Sequence, residues 1–185
     1  AATAPIISSS KAWSMGERRT SRPLAVPRAK RVAKAAAAEV PMATLPELLQ
    51  RQAAVQPSQT ALQGPESAFT YAQMMQAAEA LADQLTRLGV RRAGLCGDNS
   101  VAWILADLAC LLAGVVCVHV PVFFSRTQTK HLTERAGLDC LLSGGASNGG
   151  EHIGHGVWLR HLPVTAAAAW MPEQTAKITF TSGST

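Results

Sequence analysis

The sequence predicts an α/β fold, a mixed or parallel sheet with flanking helices, and three observations carry that prediction. Segments with helical periodicity alternate along the chain with short apolar strands. Those strands are apolar on both faces, as in parallel sheets covered by helices on each side. An 18-residue apolar run, 101–118, breaks at Gly114 and continues as the β-branched series Val115, Val116, Val118 and Val120, which reads as a buried helix feeding a buried strand.

The elements follow in order. Residues 1–41 contain Pro5, Pro23, Pro27 and Pro41, are rich in Ala, Ser, Arg and Lys, and show no apolar period, so they read as a disordered basic extension ahead of an ordered portion at 42–185. Thr44 with Glu47 forms a capping-box pattern, and Pro46 lies in the first turn of a short helix ended by Pro57. Short strands are expected at Thr60–Leu62 and Ser67–Phe69, with a turn at Gly64 and Pro65 between them. Thr70 with Gln73 is a second capping box. The helix behind it places Met74, Ala78, Leu81, Leu85 and Leu88 on one stripe and stops at Gly89.

Arg92–Cys96 is a strand, Gly97–Ser100 a turn and cap, and 101–113 a helix apolar almost all round, hence expected to be buried. A strand at 115–120 ends at Pro121. A loop through Phe123 and Phe124 reaches Ser125 or Thr127, which caps a helix to about Arg135, stopped by Gly137. A strand at 139–142, a Gly/Ser/Asn-rich loop from Gly144 to Gly156, a strand at 157–160, the segment Ala166–Ala169 and a strand Lys177–Thr181 complete the chain.

Charge separates the same two regions. The chain has 17 Lys and Arg against 12 Asp and Glu, a net charge of +5. Residues 1–40 hold eight of the basic and two of the acidic residues, so the extension carries +6 and the remainder −1. The basicity therefore argues for a solvated arm, not for a nucleic-acid-binding body, and the cluster Arg18–Lys34 has no interleaved aromatics beyond Trp13. Its composition fits an organelle transit peptide, but upstream sequence or a linker is the favoured reading, so the protein is expected to be cytoplasmic, with organelle targeting through residues 1–41 as the alternative. A membrane span at 101–118 is disfavoured by Asp107 near its centre, at about 2.5–3.5 kcal/mol. Cys96, Cys110, Cys117 and Cys140 lack paired spacing and read as reduced core residues.

Candidate chemistry concentrates at the end of the chain. There a strand delivers Thr181, Ser182, Gly183, Ser184 and Thr185. Small hydroxyl residues around a glycine can wrap an anion with side-chain and backbone donors. The spacing is not that of a Walker loop. His152, His155 and His161 have loose ligand spacing with only Glu151 as a nearby carboxylate, and they read as a solvated loop; no residue is assigned to a metal. His119 reads as a strand residue with a satisfied ring, His131 as helix surface, Trp103 as core, and Phe123 and Phe124 as packing beneath a loop in preference to an acyl pocket.

The order of these segments resembles the start of the adenylate-forming (AMP-binding) superfamily, acyl-CoA synthetases in particular. The resemblance rests on Leu45–Leu49, on Phe69–Tyr71 with the Ala/Leu helix and Leu88–Val90, on Leu95–Ser100 with Trp103, on Leu108–Val118 with Val120 and Pro121, on Phe123–Gln128, and on Phe180–Thr185. It covers residues about 44–185 and implies the N-terminal part of the large domain of such an enzyme. By that resemblance Thr181, Ser182, Gly183, Ser184 and Thr185 grip the β- and γ-phosphates of ATP while a substrate carboxylate attacks the α-phosphate. ATP, Mg²⁺, coenzyme A and a fatty or aromatic carboxylic acid are the implied cofactors and partners. The family signature continues with Gly, a variable residue, Pro, Lys and Gly, and its catalytic residues lie later. The chain is therefore expected to be an inactive front portion. Rival readings are an adenylation domain that loads a carrier protein, a non-catalytic α/β interaction module, and a basic-armed nucleic-acid binder.

Overall fold

The computed structural model describes residues 43–65, 67–145, 149–163 and 170–180. The basic extension, the segment Ala166–Ala169 and the hydroxyl-rich residues 181–185 lie outside them. Among the described residues, twelve elements follow one another: α1 (Leu45–Val55), β1 (Thr60–Gln63), β2 (Ala68–Thr70), α2 (Tyr71–Arg87), β3 (Arg92–Cys96), α3 (Val101–Leu112), β4 (Val116–Val120), α4 (Arg126–Ala136), β5 (Cys140–Gly144), β6 (Glu151–Gly154), β7 (Val157–His161) and β8 (Lys177–Thr179).

The helix starts are chemically explicit. The backbone N–H of Thr44 donates to the Glu47 carboxylate at 2.7 Å, which holds that carboxyl below its usual range. Thr70 and Gln73 close a reciprocal box at the start of α2. Ser125, not Thr127, caps α4 by the same exchange with Gln128. Each box satisfies backbone donors that the first helical turn leaves orphaned. At the far end of α4, Gly137 adopts φ 61°, the left-handed conformation that a C-terminal stop requires.

β1 and β2 form an antiparallel pair. The main sheet has the order β6-β7-β5-β3-β4-β8. β5, β3, β4 and β8 run parallel, whereas β7 and β6 are added antiparallel at one edge. The sheet is thus mixed.

Side-chain alternation assigns the two faces. Ala93, Leu95, Cys117, Cys140 and Leu142 face α2 and α3 in the larger cluster. Val118, Val120 and Leu141 face α4 through Leu132 and Ala136. Leu81, Leu95, Leu105, Leu142 and Leu159 are at most 1% exposed, and each such burial stabilises the fold by about 1.5–3 kcal/mol.

Three expectations change. The Gly-rich segment Gly144–Gly156 contains a strand: Glu151–Gly154 pairs with β7 through a turn at His155 and Gly156. α3 buries only Leu105, Ala106, Ala109 and Cys110, while Ile104, Leu108 and Leu111 are half-buried. Its apolarity all round exceeds what α2 and the sheet cover. Leu88 leaves the α2 stripe at the helix end and is 38% exposed.

Candidate functional site at the carboxyl ends of the parallel strands

β3 and β4 are neighbours, yet their carboxyl ends lead to opposite faces of the sheet. Gly97–Ser100 carries the chain from β3 to α3 on one face, and Pro121–Ser125 carries it from β4 to α4 on the other. Divergent connections from adjacent parallel strands open a crevice, the usual ligand position in such sheets. A cleft of about 280 Å³ lies there, lined among others by Asp98, Asn99, Trp103, His119, Val122 and Phe123.

Both helices that begin at this edge direct backbone N–H groups and the positive ends of their dipoles toward it. Their caps are Ser100, which accepts from Trp103 N at 3.1 Å, and Ser125. Such an edge favours an anion such as a phosphate or carboxylate.

β8 brings the hydroxyl-rich segment's approach to the same edge. It pairs in parallel with β4 in the register Cys117↔Lys177, Val118↔Ile178 and His119↔Thr179. Phe180 packs against the α4-side cluster. Thr181, Ser182, Gly183, Ser184 and Thr185 lie outside the described residues, so the geometry reaches the strand that leads to them and not the segment itself.

The remaining candidates are distributed as follows. Phe124 packs beneath the loop against the α4-side cluster, as expected. Phe123 does not: it is 77% exposed at the rim of the cleft, because its loop turns outward to reach the opposite face. Trp103 is half-buried and also faces the cleft, with its ring 5.0 Å from that of His119.

His119 lies in a strand, but its Nε2 is buried without a hydrogen-bond partner. The nearest carboxylate oxygen, Asp107 Oδ1, stands 3.5 Å away. His131 is on the surface of α4. His152 and His161 belong to the β6–β7 hairpin and His155 to its turn, not to a loop. His152 Nε2 accepts from Gly156 N at 3.3 Å, and His161 Nε2 lies 3.8 Å from Glu151.

Sequence reasoning missed one grouping. Asp107, the single charge in α3, bonds Lys177 on β8 and faces His119 on β4. A lone carboxylate in an otherwise apolar helix was the available signal, since a charge at such a position needs a partner.

Comparison with known proteins agrees with this architecture. The model of the AMP-binding enzyme family matches residues 49–185. The phosphinothricin tripeptide synthetase PhsC of Streptomyces viridochromogenes is 30% identical over 158 residues, which span 77% of this chain and 14% of that protein. The long-chain-fatty-acid–CoA ligase ACSBG2 of Mus musculus is 30% identical over 111 residues, 56% of this chain and 16% of that one.

Among solved structures, the N-terminal domain of FACL13 from Mycobacterium tuberculosis superposes with a TM-score of 0.54 at 26% identity, covering 58% of this chain and 29% of that one. The O-succinylbenzoate coenzyme A synthetase MenE from Bacillus subtilis, in complex with AMP, gives a TM-score of 0.50 at 27% identity, covering 54% and 26%. The chain therefore spans about a seventh of these two curated relatives. With a family match over most of its length and the sheet order and helix placement to support it, the chain belongs to the AMP-binding enzyme family.

Proposed function

We propose that this chain is the front part of an enzyme that activates a carboxylic acid as its acyl-adenylate at the expense of ATP and then transfers the acyl group to coenzyme A. The observation that carries the proposal is the family match, which runs through Thr181–Thr185. It is supported by the anion-favouring crevice at the carboxyl ends of β3 and β4, beside the strand that leads into that segment.

In this proposal Thr181, Ser182, Ser184 and Thr185 donate hydroxyl and backbone N–H hydrogen bonds to the β- and γ-phosphates, and Gly183 lets the backbone approach them. Donors fixed in advance around the departing pyrophosphate stabilise the charge that develops on it as the carboxylate attacks the α-phosphorus. Mg²⁺, when bound, would share that negative charge, and no described residue is assigned to it. Lys177, held by Asp107, fixes the strand from which this segment departs.

Acid-dependent exchange of labelled pyrophosphate into ATP by the product of the complete reading frame tests the first half-reaction. Exchange across part of a broad acid panel is expected, reduced at least tenfold by replacing Ser182 and Thr185 with Ala. No acid-dependent exchange with any acid overturns it.

A second acceptor is favoured by one specific observation: the alignment with the peptide synthetase PhsC covers more of this chain than that with the fatty-acid–CoA ligase. Formation of an acyl-CoA, with AMP released as the thiol displaces it from the adenylate, supports the proposal. Transfer only to a phosphopantetheinylated carrier protein would assign the chain to a carrier-loading adenylation domain.

The four cysteines are free thiols, which supports a reducing compartment, the cytoplasm or an organelle reached through residues 1–41. Among the described residues no helix is long and apolar enough to cross a membrane.

A further inference from the structure

We propose that Asp107, Cys117 and His119 form a binding site for a divalent transition-metal ion of the zinc class, distinct from any Mg²⁺ that accompanies ATP. Three donors of different type converge from two elements. Asp107 comes from α3, and Cys117 and His119, two positions apart on β4, share one sheet face. One carboxylate oxygen, the Cys117 Sγ and one imidazole nitrogen all lie within 4.8 Å of one another.

Two of the donor atoms are unsatisfied. Asp107 Oδ1 and His119 Nε2 are each buried without a hydrogen-bond partner. Buried polar atoms normally have one, so an orphaned pair facing each other calls for a third body. Their separation is 3.5 Å. Tetrahedral zinc with ordinary Zn–N and Zn–O bonds places two such ligands about 3.4 Å apart.

The other Asp107 oxygen is already taken by Lys177, which leaves Oδ1 for a single metal bond and keeps the carboxylate oriented. Thiolate, imidazole and carboxylate together suit zinc and cobalt and are poorly matched to Mg²⁺, whose ligands are oxygens. Three protein donors leave one position of a tetrahedral ion for a water or another small ligand. Binding replaces the Cys117 S–H bond with an S–metal bond and releases that proton to solvent.

The test is titration of the metal-free full chain with Co²⁺, followed by absorption and by equilibrium metal analysis. One equivalent is expected to bind with a thiolate-to-cobalt charge-transfer band. Zn²⁺ is expected to displace it, and 10 mM Mg²⁺ is not. Cys117→Ser should abolish the band, and His119→Gln, at a half-exposed position that leaves folding intact, should weaken Co²⁺ binding at least tenfold. Cys96→Ser, which removes a thiol packed on the opposite face of the sheet and outside the donor set, should leave the band in place. Circular dichroism of each variant checks its folding. Absence of stoichiometric Co²⁺ binding by the parent chain overturns the site, as does a band that survives Cys117→Ser or binding indifferent to His119→Gln. In those cases Asp107 and His119 are a plain ion pair.

Discussion

Lys177, the first residue of β8, donates to Asp107 in the second turn of α3, 70 positions earlier in the chain. The bond joins an edge strand to the helix that caps one side of the crevice. Asp107 is only 18% exposed, whereas Lys177 is 41% exposed, so the carboxylate depends on the pair more than the ammonium does. Replacing Lys177 by Met leaves a largely desolvated carboxylate without its donor. The expected cost is about 1–2 kcal/mol, the solvent-facing lysine limiting the value. Urea unfolding at two salt concentrations checks it: the difference between parent and variant should shrink as NaCl rises. Asp107→Asn, which keeps an acceptor for Lys177, should cost less.

Asp139 holds a different junction. Its Oδ2 accepts the backbone N–H groups of Arg91 and Arg92 at 2.7 and 2.8 Å, fixing the entry to β3 against the start of β5. The Arg92 guanidinium donates to the Ala136 carbonyl at the end of α4, where a cation also complements the helix dipole. Asp139→Ala orphans two backbone donors and should destabilise by about 1–3 kcal/mol. Asp139→Asn retains a carbonyl oxygen in the same place and should cost less than half as much. Thermal or urea unfolding of the two variants side by side measures the contrast.

These two carboxylates show what was legible in the sequence. The capping boxes at Thr44 and Thr70 could be read because their partners lie three residues away, whereas at α4 the sequence left Ser125 and Thr127 as alternative caps and the bond with Gln128 selects Ser125. The parallel strands could be read because burial on both faces demands continuous apolarity. β6 could not: its residues Glu151, His152, Ile153 and Gly154 form an edge strand that is partly exposed, and edge strands lack that apolar signature. For the site the sequence offered one candidate, the hydroxyl-rich run 181–185, a local pattern that lies outside the described residues. The crevice and the Asp107–His119–Lys177 grouping come from the β4–β8 register and from the packing of α3, which join residues far apart in the chain.

Gly94, in the middle of β3, is a position where size alone decides. A Cβ there would stand 2.5 Å from Leu141 Cδ2, 2.7 Å from Leu138 Cδ1 and 3.2 Å from Val120 Cγ2. All three side chains belong to the α4-side cluster and are at most 7% exposed, so none can move aside freely. Gly94→Ala should therefore destabilise by about 1–3 kcal/mol despite the better strand propensity of Ala. Leu138→Ala in the Gly94→Ala background relieves one contact. The double variant should lose less than the sum of the two single losses, which a double-mutant cycle in urea reads directly.

The buried thiols give the fold a pH dependence on the alkaline side. Burial raises the Cys96 thiol to about 11 and, with the Asp139 charge adding to it, the Cys140 thiol to about 12. Cys110 is also raised, first through its hydrogen bond to Cys117 and then through burial. In the unfolded chain a cysteine ionises near 8.5. Below that pH both states hold the proton and the contribution is complete. Above it the unfolded chain sheds protons that the folded chain retains, so stability falls as pH rises, from about 8.5 up to about 11 for Cys96 and about 12 for Cys140. Each thiol contributes a slope of about −1.4 kcal/mol per pH unit within its window. Urea midpoints measured from pH 7.5 to 10.5 should be flat at first and then decline. Cys140→Ala, whatever it costs at pH 7.5, should make the decline shallower by one thiol's slope. A parent and variant that decline in parallel would show that Cys140 ionises as readily in the folded chain as in the unfolded one.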